Sequence, residues 1–329
     1  MSRPDPGLVA RFRTDVESLT GQTPTSAVPL AVAVSGGADS VAMLLLAAAA
    51  FPDAVRVATV DHGLRAESAG EARSVARMSA ALGVPHATLS LPPGWNTQGN
   101  LQEQAREARY GALASWANGI GARWVAVAHQ RDDVAETFLM RARRGAGVAG
   151  LAAMRPVRSL GEGVSLIRPL LGWARCELER LVREAGLTAA HDPSNGDPRF
   201  DRSRMRALIA ATPDLLAQRL AHSATTLRDA EEALGWATDR EAALRLRLEG
   251  GEAWLDPADL PRELRRRLAH RAIDHVRCAR GADAPWRDQG LDRLIAMLGS
   301  GGVATIAGVQ ARALRGLWHF RPAPPHRSH

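Results

Sequence analysis

Residues 31–40 read AVAVSGGADS and hold the side chains best suited to chemistry in this chain. An apolar β-forming run stops at a serine and two glycines, and Asp39 and Ser40 then open a helix-like stretch. The first N–H groups of a helix lack helical partners, and the helix dipole adds positive charge there. Since glycine also allows close approach of the backbone, this segment predicts a phosphate-binding loop. An ordinary strand-to-helix turn is the alternative.

The whole chain contains no lysine, which limits the groups that could bind phosphate at this loop. A Walker loop ends in lysine, so phosphates here would be met by N–H groups, hydroxyls, arginine or a metal ion. The pattern SGGxDS resembles the pyrophosphate loop of the N-type ATP pyrophosphatases. Those enzymes split ATP into AMP and pyrophosphate while they activate a substrate by adenylation.

Two more polar segments follow apolar runs. DHGLR (61–65) places His62 near a strand end, where it could approach phosphate, although a solvated turn is an equal alternative. AHQRDDVAET (128–137) places Asp133 and Glu136 one helical turn apart on one face. Paired carboxylates could hold an ammonium group or Mg²⁺. Acidic residues are also favoured in any first helical turn, so a capping role stays open.

Strands and helices alternate from residue 30 to about 130, with near-continuous apolar strands. This pattern predicts an α/β fold, a parallel sheet with helices on both faces. Ligands of such sheets bind beyond the carboxyl ends of the strands, where all three polar segments fall. The expected strands are 30–34, 55–60, 86–91 and 123–128, and the expected helices are 39–50, 68–82, 100–118 and 132–143.

The rest of the chain is less regular. Glycine and arginine in 141–168 predict a mobile loop, followed by a helix at 172–185 and a turn-rich segment leading into a basic helix. Further helices are expected at 214–248 and 261–278, and short strands after 300. With Pro213 as the boundary, the expected organisation is a catalytic domain at 1–212, a mainly helical domain at 213–320 and a disordered tail at 321–329.

Composition favours an anionic partner and a reducing compartment. The 329 residues carry 42 basic and 35 acidic side chains, a net charge of +7. An arginine-rich composition without functional meaning is the alternative. Two distant cysteines indicate neither a disulfide framework nor a metal knuckle, so the expected location is cytoplasmic. The longest apolar run has 11 residues, too few for a membrane span, and no signal peptide is evident.

The order of the motifs is more specific than any one of them. SGGxDS, DHGLR, RYxAL, AHxxDDxAET, RxxRGxGxxGLxxM, RPLL and DPSNxDxxFxRxRxR together resemble the tRNA(Ile)-lysidine synthetases across about residues 28–210. Beyond 213 the resemblance weakens to a helical domain of the kind that the family uses to bind tRNA. The chain is also shorter than long family members, which carry a fuller second C-terminal domain.

The resemblance implies a reaction and a set of residue roles. Family members use ATP to adenylate the 2-carbonyl oxygen of the wobble cytidine in an isoleucine tRNA with anticodon CAU. The ε-amino group of free L-lysine then displaces AMP. Catalytic roles are implied for Asp39, Asp133 and Arg206, lysine binding for Asp133 and Glu136, and Mg²⁺ binding for Asp39. The implied ATP-binding residues are Ser35, Gly36, Gly37, Ala38, Asp39, Ser40, His62 and His129.

Arginine clusters supply the expected tRNA contacts, because guanidinium groups suit phosphodiesters. The candidates are Arg141, Arg144, Arg202, Arg204, Arg265, Arg266 and Arg267. Solvated helix faces are the ordinary alternative for all of them. A homodimer is possible but not determined by the sequence.

Three other functions compete. A tRNA thiolase would normally carry a CxxC pair, which this chain lacks. A small-molecule amide ligase would explain the loop but not the basic second domain. A non-catalytic nucleotide- or RNA-binding module would not explain the acidic cluster.

Overall fold

The computed structural model describes residues 2–61, 66–91, 101–152, 154–190, 201–212, 216–282, 286 and 289–324. The chain forms two compact units, Met1–Arg228 and Asp229–His329. Their division falls inside one long helix, 16 residues beyond the boundary expected at Pro213, which itself lies outside the described residues.

The first unit is built on a six-stranded sheet. Its elements are α1 (Pro6–Thr20), β1 (Leu30–Ala33), α2 (Ala38–Ala50), β2 (Val55–Asp61), α3 (Ala66–Ala81), β3 (His86–Ser90), α4 (Leu101–Gly119), β4 (Trp124–Ala126), α5 (Arg131–Ala142), α6 (Val148–Leu151), β5 (Val157–Gly161), β6 (Val164–Ile167), α7 (Arg175–Glu184), α8 (Asp201–Ala211) and the first part of α9 (Ala217–Arg245). The strand order is β3-β2-β1-β4-β6-β5, and each neighbouring pair is parallel except β5 with β6.

The central strand shows why the sheet is covered on both faces. Leu30 and Val32 of β1 belong to one hydrophobic core, whereas Ala31 belongs to the core on the opposite face. Alternate side chains of a strand point to opposite faces, so both faces here are buried. Helix α2 is apolar nearly all round because it lies inside, with residues 41–47 buried and α1 and α7 packed against it. The predicted α/β fold is confirmed.

The prediction of a mobile loop at 141–168 is wrong. The segment holds α6 and the β5–β6 hairpin, whose second strand adds to β4. Its turn has three residues at positive φ, Gly161, Glu162 and Gly163, a backbone that glycine permits. The glycines therefore mark a hairpin turn, and the short apolar run VSLI is a buried strand. Helix α1 was not predicted either; it buries Phe12 and Val16 and is capped by Asp5.

The second unit combines helices with an antiparallel sheet. After the end of α9 come β7 (Leu246–Glu249), β8 (Glu252–Leu255), α10 (Arg262–Cys278), α11 (Leu291–Gly299), β9 (Val303–Ile306), β10 (Val309–Leu314) and β11 (Leu317–Pro322). The strand order is β7-β8-β11-β10-β9. The long helices and the three strands after 300 agree with the sequence, but the β7–β8 hairpin was not predicted.

Two expectations about the chain as a whole can be compared with this structure. Strand β11 runs to Pro322, so the first two residues of the expected disordered tail, 321 and 322, are ordered in a sheet. Within the described residues, no helix combines the length and apolar character needed to cross a bilayer.

Candidate active site

A cavity of about 470 Å³ opens at the carboxyl ends of the central strands. Val34 follows β1 and His129 follows β4, and both line it. The polar or charged residues of its wall are Ser35, Asp39, Ser40, Arg109, His129, Asp133, Arg175, Glu179, Arg202 and Arg206. The structure therefore brings the loop at 35–40 and the start of α5 together at the strand ends, where the sequence placed them. Arg202 and Arg206 of α8 join them in the cavity wall, which the strand-end argument did not predict.

The loop between β1 and α2 is held by its own serines and by a distant backbone contact. The Ser35 N–H donates to Ser40 Oγ over 3.2 Å, and Ser40 Oγ–H donates to the Gly37 carbonyl over 2.8 Å. Gly36 accepts a hydrogen bond from the Ala190 N–H over 2.9 Å. Gly37 precedes α2 and offers no side-chain cap, so the first N–H groups of α2 remain available to an anion.

Gly36→Ala is expected to destabilise this loop. Gly36 has φ +91°, and an added Cβ would lie 3.5 Å from the Cβ of Ala190. The strain should lower the free energy of unfolding by about 1–2 kcal/mol and weaken ATP binding. Thermal denaturation and ATP titration measure the two effects. Gly83→Ala is a matched control, since Gly83 has φ +70° in open space. Equal effects of both substitutions on ATP binding would contradict the assignment of this loop to ATP.

Asp39 is half-buried, and its buried Oδ1 has no hydrogen-bond partner among the described residues. Burial raises the pKa of Asp39 to about 6. The positive charge of Arg175 opposes that shift, and the negative charge of Asp133 adds to it. An unpartnered buried polar atom is costly, so Asp39 is poised for a ligand that the protein does not itself supply.

Asp133 has a structural contact in addition to its place in the cavity wall. Gln130 caps α5 by accepting from the Asp132 N–H over 2.6 Å, and Asp133 Oδ2 accepts from the Gln130 N–H over 3.0 Å. This reciprocal pair is a capping box. The capping role that the sequence left open is therefore real, and it uses one carboxylate oxygen of Asp133.

Glu136 is surrounded by arginine and does not belong to the cavity wall. Its side chain is 1% exposed. Arg206 Nε donates to Oε1 over 2.8 Å, and Arg202 Nε lies 3.2 Å from Oε2. Arg175 Nη2 lies 3.8 Å from Oε1. Burial raises the pKa of Glu136, and the Arg206 hydrogen bond opposes the shift. Glu136 thus holds three guanidinium groups around the cavity.

His129 is neutral and accepts a hydrogen bond. Burial lowers the pKa of His129 well below its usual value, and the charge of Arg168 lowers it further. Arg168 Nε donates to His129 Nδ1 over 3.2 Å, which requires an unprotonated Nδ1. The expected phosphate contact of His129 would therefore use the other ring nitrogen as a donor.

The other arginines predicted in this unit are already paired within the protein. Arg144 and Arg204 donate to Asp201, as Arg143 does, with the Arg144 contact at 2.8 Å. Arg141 donates to the Gly150 carbonyl over 2.7 Å. His62 lies outside the described residues. Sequence reasoning gave no site role to Arg109, Arg175 and Glu179, which all line the cavity. Of these three, only Arg109 could have been found from the sequence, because it belongs to the RYxAL motif.

The fold and this loop define a protein of the PP-loop class, and the PP-loop domain family model matches residues 9–212. A tRNA(Ile)-lysidine synthase of Novosphingobium aromaticivorans is 46% identical over 325 residues, which cover 98% of this chain and 96% of that one. The chain therefore belongs to the tRNA(Ile)-lysidine synthase family. A tRNA(Ile)-lysidine synthase of Zymomonas mobilis is 42% identical, with 91% and 89% of the two chains covered.

A solved structure supports the fold alone. The U34-tRNA thiolase NcsA from Methanococcus maripaludis, determined with its [4Fe-4S] cluster, superposes with a TM-score of 0.54. Its sequence is 18% identical, and the match covers 68% of this chain and 80% of that one.

Proposed function

We propose that this protein ligates free L-lysine to the wobble cytidine of the isoleucine tRNA with anticodon CAU and thereby forms lysidine. ATP adenylates the cytosine 2-carbonyl oxygen with release of pyrophosphate, and the lysine amine then displaces AMP. The observation that carries the proposal is one cavity, in a chain of this family, whose wall joins the glycine-rich loop at 35–40 to carboxylates and arginines.

The loop and α2 would receive the ATP phosphates. The N–H groups at the start of α2 and the Ser35 hydroxyl face the same cavity as Arg109, Arg175, Arg202 and Arg206. Fixed dipoles and guanidinium charges stabilise the negative charge that accumulates on departing pyrophosphate. Because these groups are already in place, little reorganisation is needed when the bond to pyrophosphate breaks.

Asp39 fits a role in holding Mg²⁺. Magnesium is commonly bound by one or two carboxylates together with substrate phosphates, and Asp39 Oδ1 is buried with no partner in the described ranges of the chain. No group of three or more metal-ligating side chains occurs in the described part of the chain, so phosphate oxygens would complete the coordination. When bound, Mg²⁺ would neutralise charge on the phosphates.

Asp133 is the carboxylate suited to the lysine ammonium. It lines the cavity, and its Oδ1 is not used by the capping box. The role of Glu136 would be indirect, because it positions Arg202 and Arg206 and does not line the cavity. The attacking amine must lose a proton, and Asp133 or water would accept it. Arg206, held 2.8 Å from Glu136, would face the negative charge of the adenylate.

Some of the arginines proposed to contact tRNA are already paired with carboxylates of the protein. Arg141, Arg144, Arg202 and Arg204 belong to the first unit, and Arg265, Arg266 and Arg267 lie on α10 of the second. Arg267 is only 14% exposed and makes a two-pronged contact with Glu231, at 2.8 and 2.6 Å. Arg266 is paired with Glu263. A phosphate contact by either residue would compete with these carboxylates.

Arg267→Ala is expected to destabilise the second unit. Loss of the Glu231 pair and of the 2.8 Å bond to Glu263 should cost about 1–3 kcal/mol, seen as a lower midpoint in urea denaturation. Arg262→Ala is the control, since its pair with Asp292 is exposed and should contribute little. A stable Arg267→Ala protein that binds tRNA weakly would instead assign Arg267 to RNA.

Cellular context follows from the substrates. We expect the reaction in the cytoplasm, where tRNA, ATP and free lysine occur together. A homodimer stays a prediction, which light scattering of the purified protein would decide.

The deciding experiment is mass spectrometry of tRNA after incubation with the protein, ATP and lysine. We expect the mass of one lysine less one water to be added at the wobble cytidine of the CAU-anticodon isoleucine tRNA. Pyrophosphate should be released only when that tRNA is present. Omission of lysine and a methionine tRNA with the same anticodon are the controls. Unmodified tRNA with a folded, ATP-binding protein would refute the proposal.

A further inference from the structure

Four arginines surround Tyr110, and none of them has a carboxylate partner in the part of the chain that the structure describes. The guanidinium carbons of Arg158, Arg106 and Arg109 lie 4.8, 5.0 and 5.1 Å from the centre of the Tyr110 ring. The fourth, Arg168, is 4% exposed. We call these four residues the Tyr110 arginine cluster. The Tyr110 ring itself is 5% exposed, so it supports the guanidinium groups from beneath rather than offering a face to solvent.

The cluster differs from the other arginine groups of this unit. Arg143, Arg144, Arg202, Arg204 and Arg206 all contact Asp201 or Glu136. Over the described ranges, by contrast, no ion pair joins a member of the Tyr110 arginine cluster to a carboxylate. Several positive charges are therefore held together without a neutralising carboxylate among the residues that the structure describes.

The positive charges of the cluster shift the pKa values of its own members. Burial, together with the charges of Arg106 and Arg158, lowers the pKa of Arg168 to about 10. Burial likewise lowers the pKa of Arg106, and the charges of Arg109 and Arg158 add to that effect. Burial would raise the pKa of Tyr110, but the nearby arginines reverse the shift and lower it. Each of these effects would be relieved by an anion.

The position of the cluster indicates an extended anion. Arg109 lines the active-site cavity, whereas Arg106 and Arg158 are exposed and lie outside its wall. Arg158 belongs to β5, the edge strand, separated from the loop strand β1 by two intervening strands. The guanidinium groups of Arg106 and Arg158 nevertheless lie beside the same ring as that of Arg109, so the cluster continues from the cavity wall to the exterior. A triphosphate held inside the cavity would reach Arg109, whereas a polynucleotide backbone entering from outside would also meet Arg106 and Arg158.

We propose that the Tyr110 arginine cluster binds backbone phosphates of the substrate RNA beside the nucleotide that enters the cavity. The inference rests on the proposed function, and it adds an RNA-binding site to those assigned from the sequence. Guanidinium groups match phosphate oxygens in pairs, which suits a site that must hold a backbone in one register.

The test compares two double variants of the full chain. Arg106→Ala with Arg158→Ala should weaken tRNA binding about ten- to a hundredfold in filter-binding titrations. The slope of log affinity against log salt should flatten by about 1–2, which corresponds to one or two phosphates. ATP affinity and the melting temperature should stay unchanged. Arg77→Ala with Arg123→Ala is the control, because both residues are exposed and Arg123 precedes β4, at the amino end of a strand whose carboxyl end faces the cavity.

A second pair keeps the test decisive if the alanine protein does not fold. Arg106→Lys with Arg158→Lys should preserve the salt slope, since ammonium keeps the charge, but lose part of the affinity. Wild-type tRNA affinity and slope in the alanine variant would overturn the inference and leave the proposed function standing. Weakened ATP binding with normal tRNA binding would also overturn it, in favour of the triphosphate. A wild-type protein that binds no tRNA would refute the proposed function itself.

Discussion

Replacement of Asp39 by asparagine should abolish ATP cleavage and at the same time make the free protein more stable above about pH 6. The first effect follows from the proposed role at the phosphates: loss of one fixed electrostatic contact typically costs about a hundredfold or more in rate. The second follows from burial, because the Asp39 carboxylate is ionised at neutral pH without a hydrogen-bond partner for Oδ1 among the described residues. An amide carries no charge to desolvate.

The pH dependence gives the sign of the stability effect. The pKa of Asp39 is raised from 3.8 to about 6 in the folded protein. The folded state therefore binds the proton more tightly, so wild-type stability is full below about pH 4 and falls as pH rises through about 6. The difference corresponds to about 2–3 kcal/mol at most. Asp39→Asn should match the wild type near pH 4 and exceed it at pH 7–8.

Urea denaturation across this pH range, with pyrophosphate release measured in parallel, checks both effects. Asp53→Asn serves as the control, since Asp53 is exposed and precedes β2, at the amino end of the strand and away from the cavity at the carboxyl ends. An Asp39→Asn protein that is no more stable at pH 8, or that still releases pyrophosphate at the wild-type rate, would contradict the assignment.

Asp133→Asn should separate the two half-reactions. Asp133→Asn keeps an oxygen for the capping box but loses the charge facing the cavity. The KM for lysine should rise about ten- to a hundredfold, the usual cost of one charge-assisted hydrogen bond, while adenylation stays normal. Lysine-dependent AMP release and lysine-independent pyrophosphate release are measured separately.

Glu136→Gln should instead damage both steps and the fold. Its carboxylate is the shared partner of Arg206, Arg202 and Arg175, so its loss leaves three guanidinium groups without their counter-charge. We expect a cost of about 1–3 kcal/mol, below that of a fully buried pair because the arginines are partly exposed. A Glu136→Gln protein with normal stability and a defect confined to lysine would place Glu136 at the amine after all.

The elements set by local sequence could be predicted, whereas those set by packing between distant segments could not. The strands β1 to β4 and the polar segments at their ends were evident because local apolar runs and helix-start chemistry determine them. The β5–β6 hairpin was hidden by its glycines and arginines, which look like a loop until β6 pairs with β4. Helix α1 was not proposed, since its burial depends on packing against α2.

In the site, likewise, the positions of some residues could be predicted from the sequence, but the partners of others could not. The proximity of Asp39 and Asp133 followed from strand-end topology, and that of Arg206 from motif order. The difference between Asp133 and Glu136 could not be predicted, because i,i+3 spacing gives a shared face but not the partners that face meets. Arginines on α8, 70 residues away in sequence, supply those partners for Glu136. The cavity positions of Arg175 and Glu179 likewise depend on how α7 packs against α2.

The use of arginine, and never lysine, for the cationic groups of the cavity wall has a consequence for side reactions. Four arginines and no lysine line it, and the chain contains no lysine anywhere. An adenylated base is an electrophile that any nearby free amine could attack, and a lysine in the wall would risk tethering the RNA covalently to the protein. Guanidinium groups stay protonated and attract phosphate without acting as nucleophiles. The cavity can thus gather negative charge while the only side-chain amine it admits is that of the incoming amino acid.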